Sequence, residues 1–188
     1  LVELTLSQDL KVSQNTIRDA LHHLEQEGWV QKIPRRGVYV PEFTLKEAKE
    51  VYALWHTIEA LALEWAIDAF SDTERFRLRE TMIAAEESLD NQHWTHVRSA
   101  IYTFHTVLVL YAEAPRTHAI LHRLHNQARL LENQRTRIAY LSDDEWETRL
   151  EFYFDLLLHI DQHNLDRAKH YQKRIIDYTA DLVLPFIE

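Results

Sequence analysis

Glycine, proline and cysteine are scarce in this 188-residue chain, which has two glycines, four prolines and no cysteine. Both glycines, Gly28 and Gly37, lie within the first 41 residues. Because the turns of sandwiches and barrels need residues with special backbone angles, the rest of the chain is unsuited to a β-rich fold. The absence of cysteine excludes disulfides, thiolate metal sites and a cysteine nucleophile. The composition therefore divides the chain into a short head that contains both glycines and a long helical body.

Long apolar stretches are also absent. No run approaches the ~18 residues that a membrane-spanning helix requires, and no signal peptide is recognisable. We therefore predict a cytoplasmic protein with no membrane partner. The chain begins at Leu1 and its only methionine is Met82, so we expect that its natural start is missing.

The net charge of −9 is unevenly distributed. Residues 1–41 contain equal numbers of acidic and basic side chains, so the whole negative excess lies beyond them. An acidic body repels a phosphate backbone. Any contact with nucleic acid is therefore expected from the head.

Residues 1–41 have the pattern of a winged helix-turn-helix domain. Ser13 is a good N-cap for a helix predicted over 14–26, which Gly28 ends, and two short strands follow around a turn at 34–37. A recognition helix needs short polar side chains near its N-terminus, and a wing needs cations at its tip. The candidate DNA-binding residues are Ser13, Gln14, Asn15, Thr16, Arg18, Arg35, Arg36 and Gly37.

Residues 45–188 predict an all-helical domain that follows a linker at 42–44. Apolar residues recur at spacings of three and four, the segments 71–74 and 142–145 look like capping boxes, and Pro115 suits the first turn of a helix. The pattern predicts an antiparallel bundle of about six helices, over approximately 45–70, 71–89, 92–114, 115–141, 142–163 and 164–185.

The head resembles the winged helix of GntR-type bacterial transcription regulators, through residues 1–21, 24–30 and 34–40. Family members usually carry one more helix before this point, so the resemblance implies that the first helix of the domain is missing. The family usually has glycine where Lys11 stands and a guanine-reading arginine where Gln14 stands. Because glutamine can bond bidentately to adenine, we expect an altered base preference, towards adenine.

The body resembles the FCD ligand-binding domain of the FadR subfamily. Residues 52–59 resemble its first-helix motif, Phe104-His105 its Phe-His pair, the Pro115 region its helix break, and residues 164–168 its Asp-x3-Ala stretch. The resemblance implies a dimeric, ligand-responsive regulator, most often a repressor, that binds double-stranded operator DNA and a small-molecule effector.

Many members of the family bind a divalent metal through one aspartate and three histidines. These positions correspond to Ile101, His105, Tyr153 and Arg174, so only His105 is retained. Isoleucine offers no ligand atom, and arginine carries a fixed positive charge. We therefore expect no metal and no other cofactor.

An effector pocket is expected around the same positions. The first-helix arginine of the family motif is replaced by Trp55, which favours a larger, more apolar or aromatic effector, and Arg174 could pair with the carboxylate of an organic acid. In the alternative interpretation, Arg174 pairs with Glu59 and the aromatic residues belong to the core. The candidate effector-binding residues are Trp55, Glu59, Arg98, Ile101, Tyr102, His105, Tyr153 and Arg174.

Two other classes of function stay open at this point. One is a helical enzyme or metal-binding protein with an incidental head, and the other is a protein–protein adaptor. Histidines at 118, 122 and 125 and at 159 and 163 have a spacing that could share a metal, but such spacings are expected by chance among 12 histidines. Because the chain has no HExxH, G-x-S-x-G, Glu-x-x-His or P-loop motif, we predict no catalytic residues and no enzyme.

Overall fold

The fold is mainly α-helical, as predicted. The computed structural model describes residues 1–136 and 141–187, and within them are eight α-helices and one two-stranded sheet. The end of the helix predicted over 115–141 lies partly outside the described residues. None of the described helices is long and apolar enough to cross a membrane.

The head contains two helices and a hairpin. Helix α1 spans Glu3–Leu10, helix α2 spans Gln14–Gln26, and strands β1 (Gln31–Ile33) and β2 (Gly37–Tyr39) pair antiparallel. The bounds predicted for the second helix are confirmed, because the Ser13 side chain accepts a hydrogen bond from the backbone N–H of Thr16 and so fixes its start. A small core joins the two helices to the hairpin, and its members are Leu6, Ile17, Leu21, Trp29, Val30 and Val38.

Four residues of the head have a positive φ, namely Lys11, Gly28, Arg35 and Gly37. Gly28 has φ +83° and follows the last turn of α2, as expected of a glycine after a helix. Lys11 closes α1 with φ 55°, although it carries a side chain. The family's usual glycine at this position therefore matches a conformation that glycine adopts more easily.

The body consists of the six predicted helices. In chain order they are α3 (Leu45–Ala66), α4 (Asp72–Asp90), α5 (Trp94–Leu110), α6 (Pro115–Thr136), α7 (Asp143–Asp161) and α8 (Leu165–Val183), and a 3₁₀ turn at Leu184–Phe186 follows. Thr44, Ser71 and Ser142 begin α3, α4 and α7 with capping boxes. In each capping box, side chains satisfy backbone N–H groups at the start of the helix, so these helices begin without a glycine.

The body helices pack around one continuous apolar core. Helix α3 packs against α6 and α8, while α4 packs against α5 and α7, and α7 also packs against α8. Helix α3 ends four residues before its predicted end, because the chain turns at 67–70 to reach the Ser71 cap. Phe70 is nevertheless buried in the core.

The head docks on helix α6 of the body. The Asn126 side chain donates a hydrogen bond of 3.0 Å to the backbone carbonyl of Glu27. The guanidinium carbon of Arg129 lies 4.9 Å from the ring centroids of both Trp29 and Tyr102. At Gly28 a Cβ atom would lie 2.9 Å from Cγ of Arg123, so this close approach needs glycine unless the flexible arginine moves.

Candidate functional site

The polar residues at the start of α2 form an exposed surface. Gln14, Asn15 and Thr16 occupy its first turn with exposed side chains, and Arg18 is exposed one turn further on. The Ser13 hydroxyl is bonded to that of Thr16 at 2.9 Å and also caps the helix, so its first role is structural.

The hairpin turn presents two more cations. Arg35 and Arg36 are exposed, and Arg35 has φ 65° at the turn. Gly37 begins β2, where its partner in the hairpin register is Ile33. The wing tip therefore carries the positive charge that contact with phosphates requires.

Arg18 already has an acidic partner within the head. Its guanidinium donates to the Glu3 carboxylate at 2.9 and 3.2 Å and lies 3.5 Å from the Asn15 side-chain oxygen. The ion pair is exposed, and such pairs contribute little free energy. A phosphate or base that engages Arg18 has to displace Glu3.

A hydrogen-bonded cluster centred on Glu59 lies inside the body. Trp55 Nε1 donates to its carboxylate at 2.8 Å, His105 Nδ1 lies 2.9 Å from both oxygens, and His125 Nε2 lies 3.0 Å from one of them. Gln172 Nε2 also donates to this carboxylate, at 3.4 Å. A buried carboxylate with this many donors is satisfied as an anion.

The pKa values of this cluster follow from burial and from these contacts. Burial alone would raise the pKa of Glu59, but the adjacent His105 and His125 bring it far below its ordinary value. Burial lowers the pKa of His125, and this outweighs the opposite effect of Glu59. Burial also raises the pKa of Tyr153, whose hydroxyl lies 2.7 Å from His105 Nε2.

The cluster offers a possible donor set for a metal ion. One ligand atom each from Glu59, His105 and His125 lies within 4.8 Å of the others. Zinc accepts carboxylate and imidazole ligands, but Trp55 Nε1 can only donate and already occupies the same carboxylate. The hydrogen bonds satisfy these side chains without an ion.

The four positions of the family's metal site do not fit a metal here. Ile101 is buried and has no ligand atom, while Tyr153 is engaged with His105. Arg174 is exposed, with its guanidinium carbon 4.4 Å from the ring centroid of Phe152. These side chains therefore leave His105 alone among the expected ligands.

The structure brings together only some of the residues that were expected to form the wall of the effector pocket. Trp55, Glu59, His105 and Tyr153 meet in the buried cluster, and Ile101 is buried in the core. The placement of Arg174 in this wall is wrong, because its side chain lies on the outer face of α8. Its alternative pairing with Glu59 does not occur either, since the buried Gln172 on the same helix takes that place.

The two other residues of the expected wall, Arg98 and Tyr102, lie outside the cluster. A separate cavity of about 160 Å³ lies near them at one end of the bundle. Arg98 lines it directly, and Tyr102 lies close enough to the charges of Glu132 and Arg149 for them to affect its pKa, which burial raises well above its ordinary value. The described residues that line the cavity are Trp94, Thr95, Arg98, Glu132, Arg135, Thr136, Leu141, Trp146, Arg149, Thr179, Leu182 and Val183.

Sequence reasoning missed several residues of both sites. His125 and Glu132 lie on the face of α6 that carries Leu121, Leu124 and Ala128, and Gln172 lies on the buried face of α8. The sequence feature that could have identified them is the presence of a polar residue within the apolar stripe of a helix. The spacing that suggested a shared metal for residues 118, 122 and 125 instead directs His125 inward, while His122 stays exposed.

Comparison with known proteins identifies both parts of the chain. Residues 1–40 match the family described as bacterial regulatory proteins, gntR family, and residues 50–178 match the FCD domain. An uncharacterised HTH-type transcriptional regulator of Bacillus subtilis (strain 168), YdhC, is 29% identical over 108 residues. That match includes 57% of this chain and 48% of YdhC, so the chain spans about half the length of this curated relative.

Solved structures share the fold. E. coli McbR/YncC superposes with a TM-score of 0.83 at 16% identity, over 94% of this chain and 82% of that one. A putative GntR regulator from Rhodococcus sp. RHA1 superposes with a TM-score of 0.77 at 23% identity, over 98% and 86% of the two chains. With a helical FCD domain behind its winged head, the chain belongs to the GntR family of bacterial regulatory proteins.

Proposed function

We propose that this protein is a DNA-binding transcription regulator whose helical domain binds a small organic effector. In this proposal two chains pair, and each inserts α2 into successive major grooves of a near-palindromic operator. The effector changes the affinity for the operator, and the output is repression. Membership of the GntR family and the similarity to the HTH-type transcriptional regulator YdhC of Bacillus subtilis support this assignment.

One observation carries the proposal. The exposed polar turn at the start of α2 lies in the same small domain as the exposed Arg35 and Arg36 of the wing, on a chain whose negative excess lies elsewhere. Base edges are read by polar side chains of a helix, and phosphates are held by cations. The head combines both kinds of contact within one small domain.

The docking of the head on α6 supports control by a ligand. Arg129 lies between Trp29 of the head and Tyr102 of the body, and Tyr102 lies near Glu132, which lines the same cavity as Arg98. A molecule bound near Arg98 can therefore bias the position of the head through contacts only a few side chains long. It switches the protein only if it binds two head positions with different affinity.

The proposal is tested by selecting duplexes from a random DNA pool with the purified chain. The triple variant Arg18→Ala, Arg35→Ala, Arg36→Ala should lose retention of the selected operator. The slope of log affinity against log salt should fall by about 0.9 for each phosphate contact removed. The matched control, Arg77→Ala, Arg116→Ala, Arg167→Ala, changes the charge equally at exposed positions of the body. Equal retention by both triple variants would favour a protein–protein adaptor.

We also propose that the effector domain works without a bound metal. The replaced ligand positions and the mutual hydrogen bonds of Glu59, His105 and His125 support this. Elemental analysis after dialysis against zinc should find no stoichiometric ion. One ion per chain that disappears in His105→Ala would overturn the proposal and favour a metal-binding protein.

A further inference from the structure

The cavity at the end of the bundle is lined in part by apolar groups. Trp94, Leu141, Trp146 and Val183 are among its lining residues, and helices α5, α6, α7 and α8 all contribute to it. Its volume of about 160 Å³ is close to the roughly 150 Å³ of an apolar cavity that holds one benzene molecule. The space therefore suits one aromatic ring.

The cavity also carries positive charge, and the guanidinium carbon of Arg149 lies 5.5 Å from the ring centroid of Trp146. Among the described lining residues, three arginines (Arg98, Arg135 and Arg149) accompany a single carboxylate, that of Glu132. Arg135 donates to the carbonyl of Leu182 and lies 3.5 Å from Glu145, so its charge is partly used outside the cavity. The remaining imbalance favours an anion over a cation or a neutral molecule.

Two guanidinium groups retain hydrogen-bonding capacity. Arg149 is 1% exposed and bonds Glu132 at 2.9 Å, yet its Nε has no hydrogen-bond partner among the described residues. Arg98 bonds Asn133 at 2.7 Å, while its own Nε lies 3.6 Å from Glu132, beyond hydrogen-bond distance. A buried donor without a partner is costly, and a ligand carboxylate would satisfy it.

We propose that this cavity binds a monocarboxylic acid with one aromatic ring, with its carboxylate at Arg98 and Arg149 and its ring between Trp94 and Trp146. Arginine suits this role because its planar fork matches a carboxylate. Stacked or edge-on contacts with indole rings suit an aromatic body. The inference rests on the proposed function, for which it names the chemical class of the effector.

The test measures binding of benzoate and phenylacetate to the full chain by calorimetry. Benzamide and phenylacetamide serve as neutral probes of the same shape, and acetate as a carboxylate without a ring. We expect one acid per chain, with the amides and acetate at least tenfold weaker. Arg98→Gln should weaken binding about ten- to hundredfold, since it removes a charge-assisted hydrogen bond. Arg77→Gln on exposed α4 should leave it unchanged.

A second readout keeps the test independent of folding defects. Ligand binding should quench tryptophan fluorescence in the unmodified chain and less so in Trp94→Phe. Binding of neither acid, equal binding of acids and amides, or unchanged binding in a folded Arg98→Gln chain would overturn the cavity assignment. Operator affinity is measured on the same preparation without acid. Operator binding without acid binding overturns the cavity assignment alone, whereas acid binding without any DNA binding overturns the proposed function.

Discussion

At the scale of single residues, the head carries an unusual backbone choice at Lys11. Its φ of 55° places a residue with a Cβ in the left-handed region between α1 and α2, at a cost of roughly 1–2 kcal/mol. The Lys11 side chain is exposed, so no packing contact requires it at this position. The strain lies at the turn that sets the angle between the two helices.

Lys11→Gly should therefore stabilise the head. Relief of the left-handed conformation outweighs the larger entropy of glycine in the unfolded chain, and the expected net gain is about 0.5–1 kcal/mol. Hydrogen-exchange protection in α1 and α2 measures it. Lys11→Ala is the control, because it removes the charge and retains the strain. A glycine variant no better protected than the alanine variant would contradict the prediction.

Gln14 should set the base preference of α2. It is the first residue of the helix and is exposed, and glutamine suits adenine where arginine suits guanine. Gln14→Arg should therefore move the selected half-site from adenine towards guanine at one position, with a discrimination of about 1–3 kcal/mol. Gln26→Arg adds the same charge at the other end of α2 and should leave the selected sequence unchanged. A guanine-centred site for the unmodified chain would contradict this.

At the scale of elements, helix boundaries were predictable because they are encoded locally. The capping boxes at Thr44, Ser71 and Ser142 act within four residues, and so does the Ser13 cap. The inward direction of polar side chains was not predictable to the same degree. Arg174 and Gln172 are two positions apart on α8, and only the packing of α3 beside it decides which of them meets Glu59.

The buried cluster makes the stability of the body depend on pH. Burial lowers the pKa of His125 from 6.5 in the folded chain, so below that pH the unfolded chain takes up a proton that the folded chain does not. The free energy of unfolding should therefore fall as the pH drops from 7 towards 5. A single proton accounts for at most about 1.4 kcal/mol per pH unit.

His125→Gln should flatten this dependence, because glutamine can donate to Glu59 but does not titrate. Urea unfolding at several pH values measures the slope, and exposed His170→Gln on α8 is the matched control. The lowered pKa of Glu59 acts in the same direction at lower pH, since its contribution is lost only as the carboxylate becomes protonated. An unchanged slope in His125→Gln would assign the dependence to other groups.

At the scale of the whole molecule, the position of the head depends on a few contacts with α6. The hydrogen bond from Asn126 reaches a carbonyl 99 positions earlier in the chain, and Arg129 joins Trp29 to Tyr102. Periodicity and capping contain no information on such distant pairs, so the sequence predicted two domains but not how they dock. The cavity could not be predicted either. Residues from four helices line it, and these residues are distant from one another in the sequence.

Arg129→Met should loosen the docked head. Two cation–π contacts are lost, worth about 0.5–1 kcal/mol each, which corresponds to a 5- to 30-fold larger population of undocked chains. Cleavage at exposed Glu42 in the linker by a glutamate-specific protease should accelerate accordingly. Arg116→Met, at an exposed position of the same helix, is the control. Equal cleavage rates in both variants would show that Arg129 does not hold the head.

The docked surface of the head is formed by the backbone carbonyl of Glu27, the bare Cα of Gly28 and the ring of Trp29, all beyond the C-terminal end of α2. The exposed polar residues that we propose to contact DNA lie at the opposite end of this 13-residue helix, about 20 Å away. In the proposed regulator, the residues that recognise the operator are therefore different from the residues that contact the effector domain. After gene duplication, substitutions at 14–16 can therefore change the operator that such a regulator recognises. The contacts of residues 27–29 with the effector domain stay unchanged.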